Sequence, residues 1–152
     1  MEKSNNIPKI IKGGSASDLR GIVSFCNDFD FKNVKRFYCI ENSSIDTIRA
    51  FHGHLKEEKY MLVISGKAII CAVNFGDSEN PDKNSEVFRF VLSSQEPAVL
   101  HVPGGFANGM RFLQEGTKVI VFSTASLQES KNDDFRFPED YWGKEIWETK
   151  EN

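Results

Sequence analysis

Short apolar runs that alternate with polar positions, each ending in turn residues, dominate this chain and most constrain its fold. Every second side chain of a strand points to the same face, so this alternation predicts half-buried strands. Such runs recur along the chain: "GIVSFCND", "VKRFYCIEN", "KYMLVISGKAIICAVNF", "SEVFRFVLSS", "PAVLHVP" and "TKVIVFST". Polar and Gly-rich stretches such as "GDSENPDKN" and "GGFANGM" separate them. Seven or eight short strands with little room for helices predict an all-β sandwich or barrel.

The order of the runs also predicts how the chain is divided. Ser65-Gly66, between two runs, predicts a hairpin turn. The C-terminal tail mixes polar and aromatic residues, which favours a short helix or a packing arm. With 152 residues the chain is long enough for one well-filled core. We therefore expect a single domain over residues 1–152, with its core at about 10–137 and a C-terminal arm at about 138–152.

Composition excludes several classes of function. The net charge of −3 argues against a nucleic-acid-binding surface. No stretch approaches the roughly 18 apolar residues of a membrane span, and "MEKSNNIPKIIKGG" does not resemble a signal peptide. Cys26, Cys39 and Cys71 form no CxxC pattern and are expected to be buried free thiols of a reducing cytoplasm. We expect a cytoplasmic protein that binds neither nucleic acid nor membrane.

Two of the three histidines in the chain, His52 and His54, lie two residues apart at the start of a predicted strand. In a strand they project from the same face, with Arg49, Lys56 and Lys59 nearby. Such a pair can serve as metal ligands, as catalytic acid–base groups, or as hydrogen-bonded structural residues.

The metal interpretation needs further ligands beside the histidine pair. Glu57 or Glu58 could supply an oxygen, and a cupin barrel usually adds a third histidine after a Pro-x-Gly turn. Here that position is Asn108, whose neutral amide is a poor ligand for transition metals. His101 lies before the turn, so it could replace the missing histidine ligand only from a different position along the strand. We therefore predict a site without a metal and keep metal binding as an alternative.

The acid–base interpretation needs only the residues present. An imidazole with a pKa near 6.5 can take a proton from a carbon next to a ketone at neutral pH. The resulting enediolate carries negative charge on oxygen and needs a cation nearby. Arg49 and Lys59, on either side of the histidine pair, are the candidates.

Four segments, in order, resemble one known family. Arg49-Ala-Phe-His52 resembles the Arg-Gly-x-His motif of the dTDP-4-dehydrorhamnose 3,5-epimerase family, and Lys59 followed by "YMLVISG" resembles its Lys-Leu-Val-x-Val-x-x-Gly strand. "VPGGFANGM" is similar to its Pro-x-Gly-Phe-Ala-His-Gly-Phe segment, and "SDLRG" to its Asp-x-Arg-Gly. The likeness runs from about residue 17 to about residue 137. It implies a jelly-roll cupin, usually a dimer, that acts on nucleotide-linked 4-keto-6-deoxy sugars without metal or cofactor.

The resemblance also implies roles for individual residues. His52 would be the base, Lys59 would stabilise the enolate, and Arg49 would be a site cation. Arg20 matches an arginine that binds the nucleotide diphosphate, often across the dimer. Further candidates for substrate contacts are Tyr38, Asn108 and Phe106. The expected partners are a dTDP-linked keto sugar and a second copy of the chain.

The chain departs from the family pattern at three places. Asn108 stands where the family has histidine. The family's acidic tyrosine falls near Val121 or Phe122, neither of which can donate a proton. The carboxylate that orients the base has only Asp133 or Asp134 as candidates.

A second resemblance concerns both histidines together. Arg49-x-x-His52-x-His54 resembles the Arg-Gly-x-His-Ala-His-Lys motif of the sugar 3,4-ketoisomerases of the same superfamily. Ketoisomerisation can use two groups that lie side by side, and His54 would then move the proton. Epimerisation instead needs an acid on the opposite face of the sugar carbon, for which Tyr38 and Tyr60 are candidates. We predict an epimerase first and a 3,4-ketoisomerase second. A non-catalytic sugar- or metal-binding cupin is the alternative from another class.

Overall fold

The computed structural model describes residues 6–149 and contains twelve strands in that range. The strands are β1 (Lys9–Lys12), β2 (Gly14–Asp18), β3 (Gly21–Phe25), β4 (Arg36–Ile40), β5 (Ile48–His54), β6 (Lys59–Ser65), β7 (Lys67–Asn74), β8 (Val87–Ser93), β9 (Ala98–Val102), β10 (Phe106–Phe112), β11 (Lys118–Ser123) and β12 (Phe135–Arg136). A short helix α1 (Leu127–Lys131) and a 3₁₀ helix (Glu145–Trp147) complete the described elements. None of the helices in this part of the chain has the length and apolar character needed to span a membrane.

The strands form two five-stranded antiparallel sheets. Sheet I has the order β1-β9-β6-β11-β4, and sheet II has the order β12-β5-β10-β7-β8. Each sheet mixes strands from distant parts of the sequence, as in a jelly roll. The predicted all-β jelly-roll fold is confirmed.

The core of the barrel lies between the inner faces of the two sheets. Alternate residues of the facing strands fill it, and its buried members include Met61, Val63, Ile70, Leu100 and Val121. Each such side chain contributes about 1.5–3 kcal/mol by leaving water. The interior between the two sheets is therefore well packed.

A second core covers the outer face of sheet II. Phe51 of β5 and Cys71 of β7 are buried there against Trp142 and Trp147 of the C-terminal segment. The guanidinium of Arg89 donates to the carbonyl of Ile146 at 2.8 Å and to that of Glu148 at 2.7 Å. The tail thus packs as an arm along the sheet that carries the histidine pair.

Two local predictions were wrong. Ser65-Gly66 does not form a hairpin, because β6 belongs to sheet I and β7 to sheet II. Gly66 makes the corner between the sheets with φ +80°, and a Cβ there would lie 2.9 Å from Thr117 Cα. Cys71 is a buried free thiol as expected, but Cys26 is only partly buried, and Cys39 is exposed because it faces outward from β4.

The hairpin of β2 and β3 forms a small sheet of its own. Its apolar side chains are exposed to solvent: Leu19 is 107% exposed and Ile22 is 71% exposed. Polar stretches such as "GSASD" in β2 carry little alternation, which is why the sequence predicted fewer strands than the fold contains.

Candidate active site

The alternation of β5 directs both histidines into the barrel. Phe51 belongs to the outer core under the arm, and a Cβ on Gly53 would meet the ring of Phe75 in the same core. His52 and His54 have the opposite parity and face the space between the sheets. The predicted side-by-side placement of the pair matches this geometry.

His52 lies on β5, between the neighbouring strands β10 and β12 of sheet II. It pairs with Asn108 of β10, whose side-chain amide donates to the His52 carbonyl at 3.4 Å, and with Arg136 of β12. His52 is nonetheless exposed to solvent, unlike its neighbours Phe51 and Gly53. Removal of water by the neighbouring strands, followed by the positive charges of Arg136 and Lys59, lowers the pKa of His52 to about 4. His52 is therefore a neutral imidazole at pH 7, the form that accepts a proton.

His54 is buried, and both of its ring nitrogens have neighbours. Nδ1 contacts the backbone carbonyl oxygen of Asp133, which can only accept, so Nδ1 carries the hydrogen. Nε2 lies 3.6 Å from Oε2 of Glu57. Burial and then Lys59 lower the pKa of His54, while Glu57 opposes them. His54 is thus less accessible than His52.

Lys59 projects into the barrel from sheet I. It has the same parity as Met61 and Val63, which belong to the inner core. Burial lowers the pKa of Lys59, and the charge of Glu57 raises it again. The cation that the sequence predicted therefore lies within the barrel at the end that carries the histidines.

Tyr38 also faces the barrel interior from sheet I. It packs against the inner core and pairs with Val121 of β11, the place where the resembling family was expected to carry its acidic tyrosine. Burial, and then the charge of Glu57, raise the pKa of Tyr38 to about 12. The guanidinium of Arg36 lies 5.1 Å from its ring centre. The phenol is protonated at neutral pH and can act as an acid.

The two candidate carboxylates have different surroundings. Asp133 caps the turn after β5, because its carboxylate accepts from the backbone amides of Leu55 at 2.7 Å and Lys56 at 2.8 Å. Asp134 pairs with Arg136 at 3.1 Å, and its charge raises the pKa of His52. Asp134 is therefore the candidate carboxylate with an electrostatic influence on His52.

The structure does not bring two of the predicted cations to the histidines. The side chain of Arg20 is 90% exposed at the tip of the β2–β3 hairpin and pairs with Asp18 at 2.6 Å. Arg49 donates to the side chain of Asn42 at 2.5 Å and to the carbonyl of Glu41 at 3.4 Å. The roles of Arg20 and Arg49 at the site remain predictions.

Among the remaining candidates, Phe106 lies across from His54 where β10 pairs with β5, whereas Tyr60 and His101 lie elsewhere. Phe106 is buried in the inner core, edge-on to Phe88. Tyr60 and His101 stack on the outer face of sheet I with ring centres 4.5 Å apart, and His101 bonds to Glu58 at 2.7 Å. His101 as a compensating metal ligand is therefore wrong. Within residues 6–149, no group of three or more His, Cys, Asp or Glu residues is arranged to hold a metal ion.

A family model described as dTDP-4-dehydrorhamnose 3,5-epimerase matches residues 10–141. The chain belongs to this family. Members of the dTDP-4-dehydrorhamnose 3,5-epimerase family are isomerases, and the match covers both sheets from the second residue of β1 to the end of β12. The histidine pair, Lys59 and Tyr38 all lie inside it.

One curated relative and two solved structures are similar to this chain. The spore coat polysaccharide biosynthesis protein SpsL of Bacillus subtilis (strain 168) is 28% identical over 94 residues, and the chain spans 61% of the length of that relative and aligns over 61% of its own. The Mycobacterium tuberculosis rmlC epimerase is 18% identical with a TM-score of 0.72, covering 90% of this chain and 71% of that one. QdtA, a sugar 3,4-ketoisomerase from Thermoanaerobacterium thermosaccharolyticum in complex with TDP, is 21% identical with a TM-score of 0.66. The likeness covers 89% of this chain and 91% of that one. These likenesses show the fold.

In this dTDP-4-dehydrorhamnose 3,5-epimerase family member, the sequence interpretation missed Arg36 and Arg136 and considered Glu57 only as a possible metal ligand. Arg36 lies two residues before Tyr38 on β4, so alternation alone could have found it. Glu57 belongs to "KEEK", which has the pattern of a solvated turn, yet it is buried. Arg136 belongs to the tail, and only the pairing of β12 with β5 places it opposite His52.

Proposed function

We propose that this protein epimerises a nucleotide-activated 4-keto-6-deoxyhexose, using its own side chains as acid and base. The observation that carries the proposal is the neutral imidazole of His52 on sheet II together with the protonated phenol of Tyr38 on sheet I. Both face the space between the sheets. An epimerase needs a base and an acid on opposite sides of one carbon, and two facing sheets can supply them.

The reaction follows from these positions. His52 takes the proton from the carbon next to the ketone, the C–H bond breaks, and its electron pair forms the carbon–carbon double bond of an enolate. Lys59 as an ammonium ion stabilises the charge that develops on the former ketone oxygen. Tyr38 then donates its proton to the opposite face of the carbon. Exchange with water returns both groups to their starting states.

A 3,4-ketoisomerase is the second candidate. His52 and His54 share one face of β5, as proton transfer between neighbouring carbons and oxygens requires. The environment of His54 is less suited to this task, because it is buried, with Nδ1 bonded to Asp133 and Nε2 beside Glu57. We therefore rank epimerisation first. A sugar-binding protein without catalysis is the third candidate.

We further propose a cytoplasmic, single-domain protein that works as a homodimer in the synthesis of surface polysaccharide precursors. The exposed apolar side chains of the β2–β3 hairpin support the dimer, because burial against a second copy would remove them from water. Arg20 at the hairpin tip would then bind the diphosphate of a dTDP-sugar in the partner's barrel. The sequence relationship to SpsL and the TDP bound to QdtA support this substrate class.

The identity of the product tests this function. The protein is incubated with dTDP-4-keto-6-deoxyglucose, and the product is examined by NMR. Inverted configuration at C3 or C5 is the expected result. Movement of the ketone to C3 would make the protein a 3,4-ketoisomerase. No conversion of this or other nucleotide-linked keto sugars would contradict both and favour a binding protein.

A further inference from the structure

Arg36 is a partly buried cation that the proposed reaction leaves unused. It lies two residues before Tyr38 on β4, so both side chains face the space between the sheets. Only 27% of the Arg36 side chain is exposed. An arginine side chain keeps its charge throughout the pH range of folded proteins. Arg36 is therefore a fixed positive charge on the inner face of sheet I.

The guanidinium of Arg36 lies over the ring of Tyr38. Its central carbon is 5.1 Å from the centre of that ring, within the range of a cation–π contact. A planar guanidinium stacks on an aromatic face, whereas the ammonium of a lysine is a compact, strongly hydrated charge. The two side chains thus form a contacting pair along one strand, with the charge above the phenol ring.

Contacts outside β4 fix the position of the guanidinium. Nε of Arg36 donates to the carbonyl of Ala125 at 3.2 Å. Ser123 holds this turn in place, because its Oγ accepts from the Ala125 amide at 3.1 Å and its backbone pairs with Arg36. Nη2 lies 3.9 Å from Oε1 of the buried Glu57. The cation cannot leave the ring of Tyr38 without losing these contacts.

We propose that Arg36 is a positioning residue of this site, which orients the ring of Tyr38 and stabilises the phenolate that forms when Tyr38 donates its proton. The proposal rests on the proposed function for the use of Tyr38 as the acid. The relationship between the two side chains does not depend on that function. Arg36 acts through Tyr38 rather than by contact with the substrate.

The acid step explains why a cation is needed beside the phenol. The electron pair of the enolate forms the new C–H bond, the O–H bond of Tyr38 breaks, and negative charge remains on the phenolate. Burial, and then the charge of Glu57, raise the pKa of Tyr38 and make this charge costly, whereas the charge of Arg36 lowers the pKa. Arg36 therefore stabilises the phenolate until water returns the proton.

The other groups around Tyr38 do not supply this positive charge. Its partner on β11 is apolar and buried. The imidazoles of His52 and His54 face the same space from sheet II, and both have lowered pKa values, so they are mainly neutral at pH 7. Lys59 lies on β6, with β11 between it and β4. Among these groups, Arg36 is the cation in contact with the phenol ring.

The first test titrates the phenol of Tyr38 without substrate. Protein is labelled with 3-fluorotyrosine, whose phenol is more acidic than that of tyrosine, and is followed by ¹⁹F NMR with rising pH. Of the three tyrosine signals, that of Tyr38 is the one missing in Tyr38→Phe. In Arg36→Gln, the Tyr38 midpoint is expected to rise by about one pH unit. Arg36→Lys, which retains the charge, should recover part of that rise.

Tyr60 and the variant Lys35→Gln are the controls. Tyr60 lies on the outer face of sheet I, so its midpoint should be the same with and without Arg36. Lys35 precedes Arg36 in the chain, but its side chain is 52% exposed and forms an ion pair at the surface, so its replacement should leave Tyr38 unchanged. An unmoved Tyr38 midpoint in Arg36→Gln would overturn the proposal. Equal rises in Arg36→Gln and Lys35→Gln would also overturn it.

The second test uses the reaction in deuterated water. With dTDP-4-keto-6-deoxyglucose, Arg36→Gln should still take up deuterium on the side of His52, at a rate within about twofold of the unsubstituted protein. Inversion, which needs the proton of Tyr38, should fall about tenfold. A side chain that served only packing would slow both steps alike. Equal losses of uptake and inversion would therefore contradict the proposal.

A variant that does not fold, or a protein that converts no keto sugar, still leaves a decisive measurement. In the unsubstituted protein, NMR should show nuclear Overhauser contacts between the Arg36 side chain and the ring protons of Tyr38, and their absence would refute the proposed pair. If the unsubstituted protein converts no keto sugar, the proposed function fails. The fluorine titration then still decides whether Arg36 acts on Tyr38.

Discussion

Arg136 lies directly across from His52 where β12 pairs with β5. The guanidinium also pairs with Asp134 at 3.1 Å, so an ion pair flanks His52. The positive charge of Arg136 is the second cause, after burial, of the low pKa of His52. The last strand of sheet II thus helps to keep the imidazole neutral at pH 7.

Replacement of Arg136 by Gln should raise the pKa of His52. Loss of a positive neighbour favours the protonated ring, although burial still holds the pKa below its ordinary value. Since only the neutral ring accepts a proton, the acidic limb of the kcat/KM profile should move up by about one pH unit. Ring NMR titration of His52 gives the same shift independently. Lys12→Gln, at an exposed position of β1, is the control, and an unmoved His52 titration in Arg136→Gln would contradict this account.

Replacement of Tyr38 by Phe should separate proton removal from inversion. His52 can still exchange the substrate proton with solvent on its own face, but no acid remains on the other. We expect deuterium uptake with retained configuration and a loss of inversion of about 100-fold or more. Tyr60→Phe is the matched control, because Tyr60 stacks on His101 outside the barrel. Normal inversion by Tyr38→Phe would assign the acid to another group.

The C-terminal arm should contribute strongly to stability. Trp147 packs against Phe51 at 5.5 Å between ring centres, and its indole nitrogen donates to the Glu139 carbonyl at 2.8 Å. Trp147→Ala should lower the free energy of unfolding by about 3–5 kcal/mol, measured by denaturant titration. Phe37→Ala, at a position 68% exposed, should change it by no more than about 0.5 kcal/mol. Similar costs for the two variants would show that the arm is not part of the cooperative core.

The histidine pair and the lysine could be predicted from the sequence because they follow strand periodicity. Residues two apart on β5 share a face, and Lys59 shares the parity of Met61 on β6. The same rule applies to Tyr38, which faces inward while Cys39 faces outward. A period of two in the sequence is a local property, so no knowledge of the partner strands was needed.

The remaining features depend on contacts between distant segments. Glu57 resembles a solvated turn residue until Ser130 and Asp133 cover that turn. Arg136 becomes part of the site only when β12 adds to the edge of sheet II. Ser65-Gly66 has hairpin chemistry, but which sheet each flanking strand joins is decided by β11 and β10. Local sequence carries none of this information.

The most direct test of the central claim compares two histidine variants in deuterated water. His52→Asn removes the proposed base, whereas His101→Asn alters a ring on the outer face of the barrel. With dTDP-4-keto-6-deoxyglucose, NMR should show deuterium entering next to the ketone at the unsubstituted rate in His101→Asn. In His52→Asn the rate should fall by about 100-fold or more. Uptake by His52→Asn at the unsubstituted rate would contradict the assignment of His52 as the base.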